Sequence, residues 1–151
     1  MGNNNHRGYL ASSIGCRCPR CREGKLFKNS VSFRFKKTME MNTACPVCGQ
    51  ATELEVGFYY GTSYVSYVLT VAISVSTLVA WYVIIGMSTS DNRFFYWLGF
   101  NAVFLVLLQP WLMRLSRSLW ISWFVKYDAD WQIHKPEDVS ERLNTEQANN
   151  W

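Results

Sequence analysis

The run SYVSYVLTVAISVSTLVAWYVII, residues 63–85, decides the fold. It carries no charge, and the uncharged stretch around it is longer still, reaching from Glu55 to Asp91. At a rise of about 1.5 Å per residue the run covers roughly 34 Å, enough to cross a hydrocarbon core with some tilt. A second uncharged stretch, between Arg93 and Arg114, predicts a second span over 94–112. Tyr59, Tyr60, Tyr64 and Tyr67 gather at one end of the pair, and Trp81, Tyr82, Tyr96 and Trp97 at the other. That is the pattern of interfacial aromatic belts. The concentration explains how a chain with 49% hydrophobic residues keeps a mean hydropathy of −0.06.

Working outward, residues 86–93 form a short polar loop and residues 57–61 (GFYYG) an aromatic hinge. Basic residues set the orientation. The first fifty residues hold nine Lys or Arg against Glu23 and Glu40, whereas the loop between the spans holds only Arg93. The positive-inside rule then predicts both termini in the cytoplasm and the hairpin tip outside. Residues 1–6 are polar and lead into no apolar core, so no secretory signal is read there.

All five cysteines precede the first span: Cys16, Cys18, Cys21, Cys45 and Cys48. An odd number argues against a closed disulfide framework, and the paired spacing Cys18-Pro-Arg-Cys21 and Cys45-Pro-Val-Cys48 argues for a metal. Each CxxC turn places two thiolates one ligand edge apart, and two turns close a tetrahedral site. Cys18, Cys21, Cys45 and Cys48 are therefore the candidate ligands, with zinc as the metal and rubredoxin-like iron as the alternative. Arg20 and Arg22 are placed to offset the negative charge of four thiolates around a divalent ion. Cys16 reads as a spectator. Four protein ligands leave no open coordination position, and His6 and His134 match no triad or metal spacing. The sequence thus points away from an enzyme.

Val31, Phe33 and Phe35 alternate with Ser32, Arg34 and Lys36, which predicts a half-buried strand; a second is expected near 52–56. The expected fold is a membrane α-helical hairpin, two spanning helices plus an interfacial helix, with a small N-terminal β module resembling a zinc ribbon. Its parts are a mobile tail (1–15), the cytoplasmic cysteine module (16–56) and the two-helix hairpin (57–112). An interfacial amphipathic helix (113–126) and a polar C-terminal tail (127–151) follow. Pro110 is expected to kink the junction. Arg114 and Arg117, among large apolar residues, are candidates to meet lipid phosphates. Within the spans, Ser66, Thr70 and Ser74 form a stripe of small hydroxylated side chains, and Asn101 is the most polar residue of the second. These four are candidates for helix packing.

Several stretches together resemble the bacterial domain-of-unknown-function family DUF983. They are Arg17-Cys-Pro-Arg-Cys21, Gly24-Lys-Leu-Phe27, Cys45-Pro-Val-Cys-Gly49, Gly57-Phe-Tyr-Tyr-Gly61, Tyr64-Val-Ser-Tyr67 and Arg114-Leu-Ser-Arg117-Ser-Leu-Trp120. Arg22 departs from the glycine expected after the first cysteine turn. The resemblance implies a membrane-anchored, zinc-ribbon-like protein without an assigned activity. It also implies a respiratory partner, since some members are encoded beside assembly factors for haem-copper oxidases.

Three functions compete at this point. The first is a non-enzymatic adaptor or accessory subunit that docks an integral membrane protein or complex and meets anionic lipid. The second is a redox or metal-delivery factor in oxidase assembly. The third is a membrane-tethered nucleic-acid-binding module, suggested by basic charge beside Phe33 and Phe35. Topology and lipid account for the same charge more simply.

Overall fold

The computed structural model describes residues 8–86, 92–140, 142 and 143. It contains α1 (Tyr9–Ile14), α2 (Phe35–Thr38), α3 (Thr62–Ile85) and α4 (Arg93–Phe124), with a 3-10 turn at Phe58–Gly61 leading into α3. α3 and α4 pack as an antiparallel hairpin. Their outer faces are apolar and exposed, with Val68, Val71, Val75 and Val79 on α3 and Val103, Val106 and Leu107 on α4. Such faces suit lipid, not water.

The seam between the two helices is polar. Asn101 is 7% exposed; its Nδ2 donates to Ser74 Oγ at 3.2 Å, and its Oδ1 accepts from Thr77 Oγ1 at 3.1 Å. Ser66 Oγ donates to Ser116 Oγ at 2.8 Å. Ser66, Ser74 and Asn101 therefore join the helices. Thr70 does not, because its hydroxyl turns back to the carbonyls of Ser66 and Tyr67 on its own helix.

α4 has 32 residues, or about 48 Å, against a hydrocarbon core of about 30 Å. Roughly a third of it must project. The separate interfacial helix expected over 113–126 is not formed, and Pro110 does not divide the element. The proline removes one N–H from the ladder, but a long helix supported by neighbours tolerates that loss. Leu112, Leu115 and Ile121 on the projecting part are buried, and α1 and α2 pack against this helix.

Among the described residues there is no β-strand, so the expected β zinc-ribbon-like module is absent. Only isolated bridges form, pairing Arg17 with Lys25, Phe27 with Met41 and Ala44 with Ala51. The alternation at 31–36 misled because Val31 and Phe33 are both exposed and the chain turns helical at Phe35. No neighbouring segment pairs with it, and an unpaired extended segment is not a strand. Near 52–56 the backbone pairing stops at the single Ala44–Ala51 bridge, and the Thr52 hydroxyl bonds the carbonyls of Asn42 and Thr43 beside it.

The N-terminal module is instead a set of loops and short helices packed around the cysteines. Leu26, Phe27, Leu54 and Phe58 share this core with Ile121, Val125 and Val139. The core is thus assembled from both ends of the chain. Residues 8–15, assigned by sequence to a mobile tail, hold α1, whose Ser12 and Ser13 are buried. Residues 1–7 of that tail, and 144–151 of the C-terminal one, lie outside the described residues.

Candidate metal centre

The sulfurs of Cys18, Cys21, Cys45 and Cys48 all lie within 4.8 Å of one another. Cys18 faces Cys48 at 3.7 Å, and Cys21 faces Cys45 at 3.7 Å. A tetrahedron with metal–sulfur bonds of about 2.3 Å has edges of about 3.8 Å. The sulfurs are far outside disulfide bonding distance, and all four cysteines are free. The donor set and its spacing fit a tetrahedral thiolate metal, and the site is closed by the chain's own ligands.

The local fold prepares each turn in the same way. In the first, Cys18 N donates to Gly24 O at 2.8 Å, and Arg22 N donates to Cys18 O at 2.8 Å. In the second, Cys45 N donates to Gln50 O at 2.8 Å, and Gly49 N to Cys45 O at 3.0 Å. Gly49 and Arg22 occupy corresponding positions, and both are left-handed, with φ of 71° and 60°. Glycine adopts that conformation freely, whereas arginine does so at a cost of roughly 1 kcal/mol. The Arg22 guanidinium lies 3.9 Å from the centre of the Tyr127 ring, a contact that offsets part of the cost. The departure from glycine noted in the sequence therefore leaves the turn geometry intact.

Gly24 belongs to the site although it offers no ligand. Its N–H donates to Cys21 Sγ at 3.5 Å, and a methyl group in place of its hydrogen would lie 2.2 Å from Cys45 Sγ. The spacing Cys21-x-x-Gly24 is the sequence signal for it. Backbone groups of Cys21, Cys48 and Gln50 hydrogen-bond the sulfurs of Cys18, Cys45 and Cys48 in turn, and each favours thiolate. A hydrogen bond from Cys18 lowers Cys21 to about 6 and holds Cys45 well below the ordinary thiol range, whereas the contact with Cys21 pushes Cys18 up. A bound cation would displace the protons that remain. Cys16 lies outside the cluster; burial raises its thiol pKa, as expected for a spectator.

Arg20 is 5% exposed and ties the first turn to the C-terminal segment. Its Nη2 donates to Asp128 Oδ2 at 3.3 Å and to His134 O at 2.7 Å, and Asp128 N donates back to Arg20 O at 3.2 Å. Its Nη2 thus serves carboxylate and carbonyl oxygens of the C-terminal segment, a role the sequence did not suggest. His134 completes the group, with Nδ1 3.1 Å from Asp128 Oδ2.

Arg114 and Arg117 do not present their bonded donors to lipid phosphate, the role expected from their pattern. Arg114 Nε donates to Thr38 O at 2.8 Å, and its Nη2 to Asn29 O at 2.6 Å and Ser30 O at 3.2 Å. Its guanidinium also lies 4.6 Å from the centre of the Phe27 ring. Arg117 Nη1 donates to Met39 O at 3.1 Å. The physical reason is the missing sheet: carbonyls of a loop with no ladder need other donors, and α4 supplies them. On the other side, Trp120 Nε1 donates to Phe58 O at 2.8 Å, and its ring fills the space a side chain at Gly61 would take. These contacts fasten the metal module to the end of α4.

A family model described as "Protein of unknown function (DUF983)" matches residues 35–124. No curated protein and no solved structure matches the chain. The matched segment covers both membrane-length helices and the second cysteine turn.

Proposed function

The chain belongs to the DUF983 family, and from that premise we propose that it is a non-enzymatic membrane adaptor, a multi-pass protein whose metal-organised module docks a partner complex. The observation that carries the reading is the mounting of a closed four-cysteine cluster on an unbroken membrane helix. The cluster supplies four sulfurs and no open position, which suits structure better than hydrolysis. A module this small buries too little apolar surface to fold unaided, so metal binding would contribute much of its folding free energy. Zinc is the metal we assign. The basic N-terminal third supports a cytoplasmic module on a bacterial inner membrane. The partner we favour is an integral membrane complex, with a haem-copper oxidase under assembly as the first candidate.

Purification from native membranes in mild detergent, followed by mass spectrometry, tests the adaptor role. We expect a stoichiometric membrane partner that is lost when Cys45 and Cys48 are replaced by Ser, while the variant still inserts. Repeated recovery of the chain alone refutes the proposal. Redox or metal delivery is favoured by one feature, the backbone hydrogen bonds to the sulfurs, which serve an iron centre as well as zinc. Elemental analysis with a visible spectrum separates the two. Colourless protein with one tightly held zinc supports the adaptor, and a red iron protein overturns it.

A further inference from the structure

The turn at residues 31–37 has a composition that the metal site does not explain. Val31 is 51% exposed and Phe33 62% exposed, whereas Leu26, Phe27 and Leu54 of the same module are buried around the cysteines. Arg34, Lys36 and Lys37 flank them and are exposed; none forms a salt bridge among the described residues, and Lys37 is near enough to Glu40 only to help Lys28 lower its pKa. Lys28 nearby is paired with Glu40 at 3.1 Å.

The turn is rigidly built. Thr38 is fully buried; its hydroxyl accepts from Ser32 N at 3.0 Å and donates to Ser32 O. Thr38 N donates to Arg34 O at 3.0 Å, and Asn29 Nδ2 to Lys37 O at 3.1 Å. The apolar side chains are therefore held outward by a closed network. Ordering them in solvent brings no hydrophobic gain, so the network prepares a contact.

Arg114 locates that contact. It grips both arms of the turn, at Asn29 and Ser30 on one side and Thr38 on the other. It is also the residue that ends the uncharged run of α4, where the hydrocarbon core gives way to headgroups. Phe33 is three residues from Ser30, a reach of about 10 Å at most. The headgroup layer is roughly 5–8 Å deep on each side. The turn is therefore confined to the neighbourhood of the membrane surface.

We propose that residues 31–37 form a lipid-docking turn, with Val31 and Phe33 inserted into the interface and Arg34, Lys36 and Lys37 on anionic headgroups. The combination of apolar tips and a basic collar matches both components of such a surface. The lipid contact expected of Arg114 and Arg117 is made here instead, on a turn that Arg114 holds in place.

Photo-crosslinking of the full chain in nanodiscs tests this. Benzoylphenylalanine replaces Phe33 or, as a comparison, Val47, which is also exposed (43%) but lies in the second cysteine turn. The nanodiscs contain phosphatidylcholine with or without phosphatidylglycerol. We expect lipid adducts at position 33 well above those at 47, increasing with phosphatidylglycerol. Lys36→Glu with Lys37→Glu should cut the phosphatidylglycerol-dependent adducts by roughly fivefold or more for each basic residue engaged, with metal content unchanged. Yields at 33 no higher than at 47, or indifferent to phosphatidylglycerol and to the charge reversals, overturn the proposal. Adducts to another protein at position 33 in native membranes, in place of lipid, overturn it too.

Discussion

Gly24→Ala probes the metal centre with a single methyl group. That methyl would lie 2.2 Å from Cys45 Sγ, whereas ordinary contact begins at 3.4 Å, so the two must separate by about 1.2 Å. Metal–sulfur bonds are held near 2.3 Å to within about 0.2 Å, so Cys45 cannot clear the methyl and stay bound. The backbone of Gly24 is held as well, since its carbonyl accepts from Cys18 N at 2.8 Å and its N–H meets Cys21 Sγ at 3.5 Å. Loss of one ligand in four is the expected outcome. If structural zinc contributes about 10–16 kcal/mol, a quarter of it is about 2.5–4 kcal/mol, or roughly two to three orders of magnitude in metal affinity. Chelator competition on the purified chain, followed by elemental analysis, measures this. Gly99→Ala is the matched comparison, because nothing lies within 4 Å of the added methyl. Gly24→Ala that resists chelator as well as Gly99→Ala would falsify the close approach of backbone to sulfur and the closed site built on it.

Three further predictions concern how the parts are joined. Arg114→Met leaves the carbonyls of Asn29, Ser30 and Thr38 without their donor and should destabilise the module by at least about 3 kcal/mol, read as earlier metal release on heating. Arg114→Lys, which keeps the charge but not the planar fork, should fall between that variant and the parent. Asn101→Leu removes the links to Ser74 and Thr77 and should weaken the hairpin by about 0.6–1.7 kcal/mol, measured by unfolding in mixed detergent micelles with the metal still bound. A chain ending at residue 124 loses Val125, Asp128 and Val139, leaving Arg20 buried without its carboxylate; the first cysteine turn should become protease-sensitive although both helices remain inserted.

The spans and the ligand set were legible because each rests on a local pattern: an uncharged run of sufficient length, and two CxxC turns. The contacts that unite them were not. Arg114 meets Asn29, Ser30 and Thr38 across more than seventy residues of chain, and no local periodicity encodes such a partner. The large apolar residues around Arg114 and Arg117 suggest a helix lying on lipid, but an apolar pattern does not say what covers it, and at Leu112 and Leu115 the cover is protein. Alternation over 31–36 failed for a related reason. A period of two signals a strand only if a neighbour completes the ladder, and this turn is closed on itself through Thr38.

The unbroken length of α4 gives the molecule a mechanical property. The helix continues through Pro110 as one element, and its projecting third is gripped by the cysteine module through Arg114, Arg117 and Trp120. Membrane helices tilt by about 20° on average, and a change of that size would swing an arm about 18 Å long by about 6 Å at its tip. A partner that pushes on the hairpin within the bilayer would thereby displace the cysteine cluster at the surface. Pressure on the module would in turn lean the helices.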